Sequence, residues 1–470
     1  MADTARQYTL EGVSITSVSN KSYNITDLVM EFSIFESINN PYILGSIILN
    51  DSGQNILASM PIQGRERVSI RVKTETFSDK TYNYDLVVSG IDTRTVSNRN
   101  QIYKLNLISY TGMQNEGIRI GKVLEGTNDK IVEKILKEFL KVDKKIDTES
   151  AKFPQKYLPS LKRPFDFIYQ LAPVTVSAST PTGASGGASG KGSGASGVTQ
   201  SDIKSDNKSK LSGSAGYLFY ETYDAFVFKS LDKIASTGEG DNYGGEKPKY
   251  TYTYAYANDG KTDSQNHLKI IDYTFVNEID VLKQLREGIY STMCIFFDVN
   301  TASYEETIFK VEDTYKQMSH LGSAEKIPQG QKELSEYPTR IMTQMINNEL
   351  FHKDKNTPGK DNSAFKDTYK YSIAQSNARY RLASNQQINI TIPPNITIRA
   401  GDKLELLFPN MTSEEIRKTQ PYDEEHSGYY LIKNIGYNFV VKGAQSLTGT
   451  TNVSLIRDSF GRKNTASKVK

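Results

Sequence analysis

The sequence predicts an α+β chain, mainly β, built from two similar β domains and a smaller helix-containing module. Three observations carry this. Residues 23–72 hold short apolar runs rich in β-branched and aromatic types, the composition of strands. The same order of strand signals returns in the second half of the chain, and a stretch of helical apolar spacing, followed by a Gly/Ser tract, lies between the two.

In the first copy, residues 28–35 and 42–50 read as two strands. The turn-forming run Ile38-Asn39-Asn40-Pro41 closes them into a hairpin. A third strand, 67–74, follows the breaker Pro61 and the turn glycine Gly64. Two more, from Tyr84 and from Ile102, flank the turn at 97–100, so residues 1–112 form the first β domain. The second copy reads STMCIFFDVNTASYEETIFKVED, whose acids Asp298 and Asp313 repeat the spacing of Glu36 and Asp51. The run Gly64-Arg65-Glu66 is echoed by Gly401-Asp402-Lys403, and the last strand pair by strands from Tyr429 and Asn452. This predicts a second β domain over 282–313 and 384–460, carrying an insertion at 314–383.

Residues 113–281 differ in character. Within 129–140, Ile131, Val132, Ile135, Leu136, Phe139 and Leu140 share one helical face, with Asn128 or Asp129 available as cap. A short helix over 165–172 starts after Pro164 and stops at Pro173. Residues 176–215 are Gly, Ser, Ala, Thr and Lys, too polar to offset ordering entropy, and are expected to be a disordered loop. GYLFYETYDAFVFKSL then predicts a hairpin at 217–231, able to pair with either the first domain or the module. Residues 236–266 read as irregular. Asn277 is placed as cap, with Asp280 in the capping-box position, of a helix ending before Gly288. A longer helix falls near 364–383, and the basic tail 461–470 is expected to fray.

Composition excludes several functions. The chain has 470 residues, enough for about three domains of ordinary size, and a net charge of +3 that calls for neither nucleic acid nor an anionic membrane. The single cysteine, Cys294, cannot form an internal disulfide and reads as a small buried residue. No apolar run reaches the roughly 18 residues of a membrane helix, and the polar start lacks a signal peptide's core, so no membrane insertion and folding in a cytoplasm are expected. His267, His320, His352 and His426 are scattered without a ligand spacing, so no metal or other cofactor is expected. The GxSxG-like and phosphate-loop-like fragments near Lys191 lie in the Gly/Ser tract with no preceding strand, and adjacent pairs such as Glu305-Glu306 would face opposite sides of a strand. Glu36 and Asp298, at corresponding hairpin ends, read either as polar turn residues or as a repeated contact at a subunit interface. With Asp51, Glu66, Asp313 and Asp402 they make the candidate interface set.

A family resemblance runs through these segments in order. Glu36, Asp51-Ser52, Leu57, Pro61, Ile62, Gly64 and Glu66, then LPSLKRPFDFIYQLA, the FYET hairpin, NITIRAGDKLELLFPN, SGYYLIKNIGYNF and SLIRDSFG resemble the central baseplate hub protein of contractile-tailed bacteriophages, the T-even-type hub. Ala225, where a glycine is often found, and the long Gly/Ser loop depart from the pattern. The resemblance implies two tube-type β-barrel domains per chain and a homotrimer, whose six domains match a sixfold tail tube above and a threefold spike below. It implies partners in the tail tube protein, the central spike protein and other baseplate proteins, residence in the virion's tail baseplate, and DNA passing through the lumen without specific binding. A tightly phosphate-binding lumen would slow ejection. The base of a type VI secretion or other contractile injection spike shares the pattern, and a cell-wall hydrolase or carbohydrate-binding tail protein is the rival from another class. No catalysis is expected.

Overall fold

The computed structural model describes residues 8–52, 56–60, 62–74, 77–97, 100–179, 214–238, 243–254, 267–277, 280–315, 318–322, 337–346, 363–412, 420–442 and 446–462. Strands dominate. The first copy comprises β1 (Tyr8–Thr16), β2 (Ser22–Asn24), β3 (Val29–Ser37), β4 (Leu44–Ser52), β5 (Arg67–Thr74), β6 (Lys80–Ser97) and β7 (Asn100–Ser109). Their buried residues alternate along β5, as Val68, Ile70 and Val72, and along β7, as Tyr103, Leu105 and Leu107. One face of each strand therefore meets the core and the other meets polar surroundings.

The middle module follows, with β8 (Leu124–Thr127), β9 (Lys145–Thr148), β10 (Pro154–Tyr157), β11 (Tyr217–Glu221) and β12 (Ala225–Ser230). Its helix Asn128–Lys134 continues as a π turn, Ile135–Phe139. The cap position is Thr127, with no side-chain bond. Asn128 donates instead to the Thr175 hydroxyl at 2.8 Å, and Asp129 accepts from the Ala151 amide at 3.2 Å, so both residues offered as caps brace neighbouring loops. Helix Pro164–Leu171 has proline in its first turn as expected.

The FYET hairpin joins module and sheet at once. β12 pairs in parallel with β9, so its backbone belongs to the module. Side-chain alternation then divides it: Tyr217, Phe219, Phe226 and Phe228 enter the module's core, while Tyr220, Ala225 and Val227 enter the core of the main sheet. Of the Gly/Ser loop, residues 180–213 lie outside the described residues. Its two ends are tied together by a bridge between Val176 and Ala215.

The last part holds β13 (Tyr250–Thr253), β14 (Asp272–Asn277), β15 (Ser291–Asp298), β16 (Ser303–Lys310), β17 (Arg340–Ile346), β18 (Gln386–Ile392), β19 (Lys403–Leu407), β20 (Gly428–Lys442) and β21 (Ser446–Arg457). The stretch read as irregular thus contributes β13. The helix before β15 is Val281–Glu287, capped by Asp280, whose carboxylate accepts from the Lys283 amide at 2.9 Å. The helix starts one turn later than expected, because Asn277 still belongs to β14. Gly288, with φ at 71°, ends it. Helix Ser363–Leu382 lies where expected. The tail beyond residue 462 lies outside the described residues.

The pairings correct the predicted repeat. Hairpin β15–β16, placed by its spacing in the second β domain, forms a three-stranded sheet with β17 and packs on its own core of Cys294, Phe296, Phe309 and Ala378. It belongs to the insertion, which runs from 278 to 385. The second copy is instead β13, β14, β18, β19, β20 and β21. Its pairing order β14-β18-β21-β20-β19-β13 repeats β3-β4-β7-β6-β5-β1 strand for strand.

Register confirms the match. Arg67 faces Val87 where Lys403 faces Leu431. Val88 faces Leu107, and a bulge precedes the pair Gly90–Asn106; Ile432 faces Leu455, and a bulge precedes Asn434–Ser454. Leu107 then faces Gly45 as Leu455 faces Ile388, and Ile34 faces Gly45 as Phe275 faces Ile388. A one-residue slip would invert every side chain, so five strands in common register with a shared bulge are one fold used twice. The copies differ at their last strand: β1 is antiparallel to β5, β13 parallel to β19.

The two copies do not form separate sheets. β3 pairs with the distal half of β20, β1 touches β21, and all these strands join one 13-stranded mixed sheet over a continuous core. The pairings β20-β3-β4-β7-β6-β5-β1-β21 return to β20 and close a circuit.

Candidate assembly interface

Two of the predicted acids, Glu66 and Asp402, lie at the corners of this repeat. At the first, Arg65 has φ 78°, its amide donates to the Val88 carbonyl at 2.8 Å, and the Glu66 carbonyl accepts from the Val88 amide at 2.9 Å. Glu66 Oε1 reaches back to the Gln63 amide at 2.8 Å. The second corner repeats each bond. Gly401 has φ 85° and donates to the Ile432 carbonyl at 2.9 Å, the Asp402 carbonyl accepts from the Ile432 amide at 2.9 Å, and Asp402 Oδ2 accepts from the Arg399 amide at 2.6 Å. Arg65 is therefore equivalent to Gly401 and Glu66 to Asp402, one residue out of step with the sequence echo, which set Gly64 against Gly401 and Glu66 against Lys403; each acid caps the turn three residues before it. Burial raises the pKa of Asp402, with Lys249, 2.7 Å away, pulling against it.

Glu36 is 2 % exposed, which a side chain reaching another subunit would not be. Its two oxygens accept from the Tyr223 amide at 3.0 Å and the Ala400 amide at 3.2 Å, joining β3 to the FYET turn and to the second corner. Beside it Arg399 pairs with Asp224 at 2.8 Å and lies over the Tyr223 ring at 4.7 Å. Burial raises the pKa of Glu36, opposed by Arg399 and the two amides. A carboxyl raised in the folded chain contributes most below its unfolded value near 4.3, and that contribution falls as pH climbs through the raised value. Glu36→Gln is expected to cost about 1–3 kcal/mol, since its amide nitrogen would meet a backbone N–H. The gap from the parent should narrow with rising pH, as read by urea unfolding.

Asp51 and Asp298 are also internal. Asp51, 1 % exposed, accepts from the Ile56 amide at 2.7 Å and faces the Tyr103 hydroxyl, whose pKa burial raises. Asp298 closes the β15–β16 turn by accepting from the Asn300 amide at 3.0 Å. It therefore has no equivalence with Glu36, because its hairpin is not part of the repeat. Asp313 lies on the helix Val311–Tyr315, and its side chain is outside the described residues. His320 sits between Asp458 and the Tyr315 carbonyl, and His426 beside Asp423. Among the described residues no group of His, Cys, Asp or Glu is arranged to hold a metal ion, and no helix is long and apolar enough to cross a membrane.

Of these acids, Glu36 lies on the seam between copies. There β3 and β20 pair antiparallel from Ser37–Asn434 to Glu31–Val440. Phe32 stacks on Phe439 with centroids 5.1 Å apart, Tyr8 closes on the same ring at 5.3 Å, and the Ser37 hydroxyl donates to Asn434 at 2.6 Å. Main-chain bonds supply the affinity of such an edge contact and alternate side chains its register. Pairing partners some 400 residues apart in sequence gave no local signal by which this seam could be predicted.

No family model matches the sequence, and neither does any curated protein. Solved structures do match over nearly the whole chain. They include the 43 kDa tail protein of prophage MuSo2 from Shewanella oneidensis, at 8 % identity and TM-score 0.48 over 96 % of this chain and 99 % of that one. The tail protein from Neisseria meningitidis MC58 matches at 9 % identity and TM-score 0.47 over 96 % and 97 %. An Escherichia coli component of the type VI secretion system matches at 9 % identity and TM-score 0.42 over 97 % and 79 %.

Proposed function

We propose that this chain is a non-enzymatic structural hub of a contractile-tail baseplate, acting as a homotrimer. Three chains with two tube-type units each make a ring of six. Six similar units present a sixfold face to the tail tube protein, while the chain's own repeat of three matches a central spike, and other baseplate proteins bind the outside. DNA passes through the lumen without specific binding.

The observation that carries this reading is the internal repeat itself, five strands in one register with a shared bulge and duplicated capped corners. A chain that spans two quasi-equivalent positions can meet sixfold and threefold neighbours at once, and this needs extended edges rather than a pocket. The ordered resemblance of the sequence to baseplate hubs supports the same assignment.

The test is the absolute mass of the purified protein by light scattering. The expected result is three times the chain mass of 52.6 kDa. A monomer at every concentration, alone and with spike protein, would overturn the reading.

A further inference from the structure

The seam within the chain has an open counterpart at each end of the repeat. In the seam, the distal half of β20 lies between β21 and β3. The equivalent half of β6, residues 91–97, has β7 on one side and, among the described residues, no strand on the other. The equivalent of β3 is β14, which among the described residues ends the sheet beyond β18. One chain therefore exposes both halves of the joint that it makes internally.

The side chains agree. Phe32 and Ile34 of β3 are 0 % and 1 % exposed under β20, whereas their counterparts Tyr273 and Phe275 on β14 are half-buried. On the other half, Phe439 is 1 % exposed and its counterpart Val96 is 59 % exposed, with Ile91 at 39 %. Long uncovered edges carrying apolar residues invite strand addition, and natural proteins protect them unless they are used.

We propose that β14 of one chain pairs antiparallel with residues 91–97 of β6 in a second copy, in the register of the internal seam. This rests on the hub reading and specifies its subunit contact. The pairs follow from the equivalences. Asn438–Ser33 becomes Thr95–Thr274, Phe439–Phe32 becomes Val96–Tyr273, and Val440–Glu31 becomes Ser97–Asp272. The extra residue of the β6 bulge between Asp92 and Thr95, where Thr93 has φ 51°, is accommodated before these pairs begin. The joint inside the chain and the joint between chains then alternate around the ring, so all units meet through one kind of contact.

The experiment is disulfide trapping in the full chain with Cys294→Ala. Directly opposed residues bring Cβ atoms close enough to bridge, and diagonal ones lie beyond reach. T95C/T274C is expected to give covalent dimers and trimers on mild oxidation, and T95C/D272C none. S33C/N438C should close within one chain, establishing that the geometry bridges. A second variant, V96K, places a charge on a side chain exposed in the single chain; it is expected to remove the trimer from light scattering while the thermal unfolding of the subunit is retained.

The outcomes separate. If the parent is trimeric, the internal control bridges and T95C/T274C does not, this seam is wrong and the hub reading stands. If V96K leaves the trimer intact, the seam is likewise overturned. Covalent products growing past three chains would keep the seam and overturn the closed ring, and a parent monomeric under all conditions with no cross-link would overturn both.

Discussion

Replacing Arg379 with methionine is expected to lower stability by about 3–5 kcal/mol, the range for removing one partner from a buried ion pair. Arg379 is 1 % exposed, and its guanidinium donates to Asp232 at 2.8 Å, to Asp458 at 2.8 Å and to the Ser319 carbonyl. Each partner comes from a different part of the fold. Asp232 follows the FYET hairpin, Asp458 follows β21, and Arg379 lies on the helix of the insertion. The variant strands two aspartates in the interior, which is why the loss exceeds that of a surface pair.

The pH dependence follows from Asp458. Burial raises its pKa, but His320 and Arg379 outweigh burial and hold it well below the usual carboxylate range. A depressed folded pKa contributes stability that is complete above the unfolded value of about 3.9 and is lost as pH falls through the folded value. Urea unfolding of the parent should weaken steadily below about pH 4. The Arg379→Met variant, with that depression reduced, should show a shallower acid loss. An unchanged acid limb would contradict the account.

Gly401→Ala is expected to cost about 2–4 kcal/mol, combining left-handed strain with overpacking. A Cβ at this position would stand 2.0 Å from the Tyr220 hydroxyl oxygen and 2.8 Å from the ring carbon that bears it. The equivalent residue at the other corner is Arg65, at φ 78°, so the left-handed conformation alone does not demand glycine. What differs is the hairpin pressed against the second corner. Two outcomes follow in thermal melts. Tyr220→Phe should restore part of the loss in Gly401→Ala, and Arg65→Gly should raise stability by up to about 1 kcal/mol by relieving the strain without a clash. Equal costs at both corners would mean that Tyr220 does not decide the residue.

The comparison of the two corners also explains what was legible in the sequence. Strands β3 to β7 could be read because each partner follows within one turn, so alternation and turn residues lie side by side. The echo between 64–66 and 401–403 was readable for the same reason, but the structure shifts it by one residue, with Arg65 rather than Gly64 standing where Gly401 does. The second hairpin was not. Its strands β14 and β18 are parted by the insertion, and the insertion holds a real hairpin, β15–β16, whose acids imitate the spacing of Glu36 and Asp51. Sequence spacing registers a local hairpin wherever one occurs, and cannot tell which sheet receives it.

The acids were conspicuous for a related reason. Glu36, Asp51, Glu66 and Asp402 stand at the ends of apolar strands, and each accepts backbone N–H groups that would otherwise go unmet. Residue type alone could not distinguish an acid that caps its own chain from one that meets another. The edges that can meet another chain, 91–97 and β14, carry ordinary residues such as Val96 and Thr274. Their meaning emerges only when the two copies are superposed strand by strand.

In the proposed hub, three chains supply six equivalent units to one ring. End-on projection averages of the purified assembly by electron microscopy test it most directly. Six similar lobes around an open centre are expected, with the true symmetry threefold because alternate lobes bear the insertion and the module differently. A ring of three lobes, or a closed particle without a centre, would contradict it.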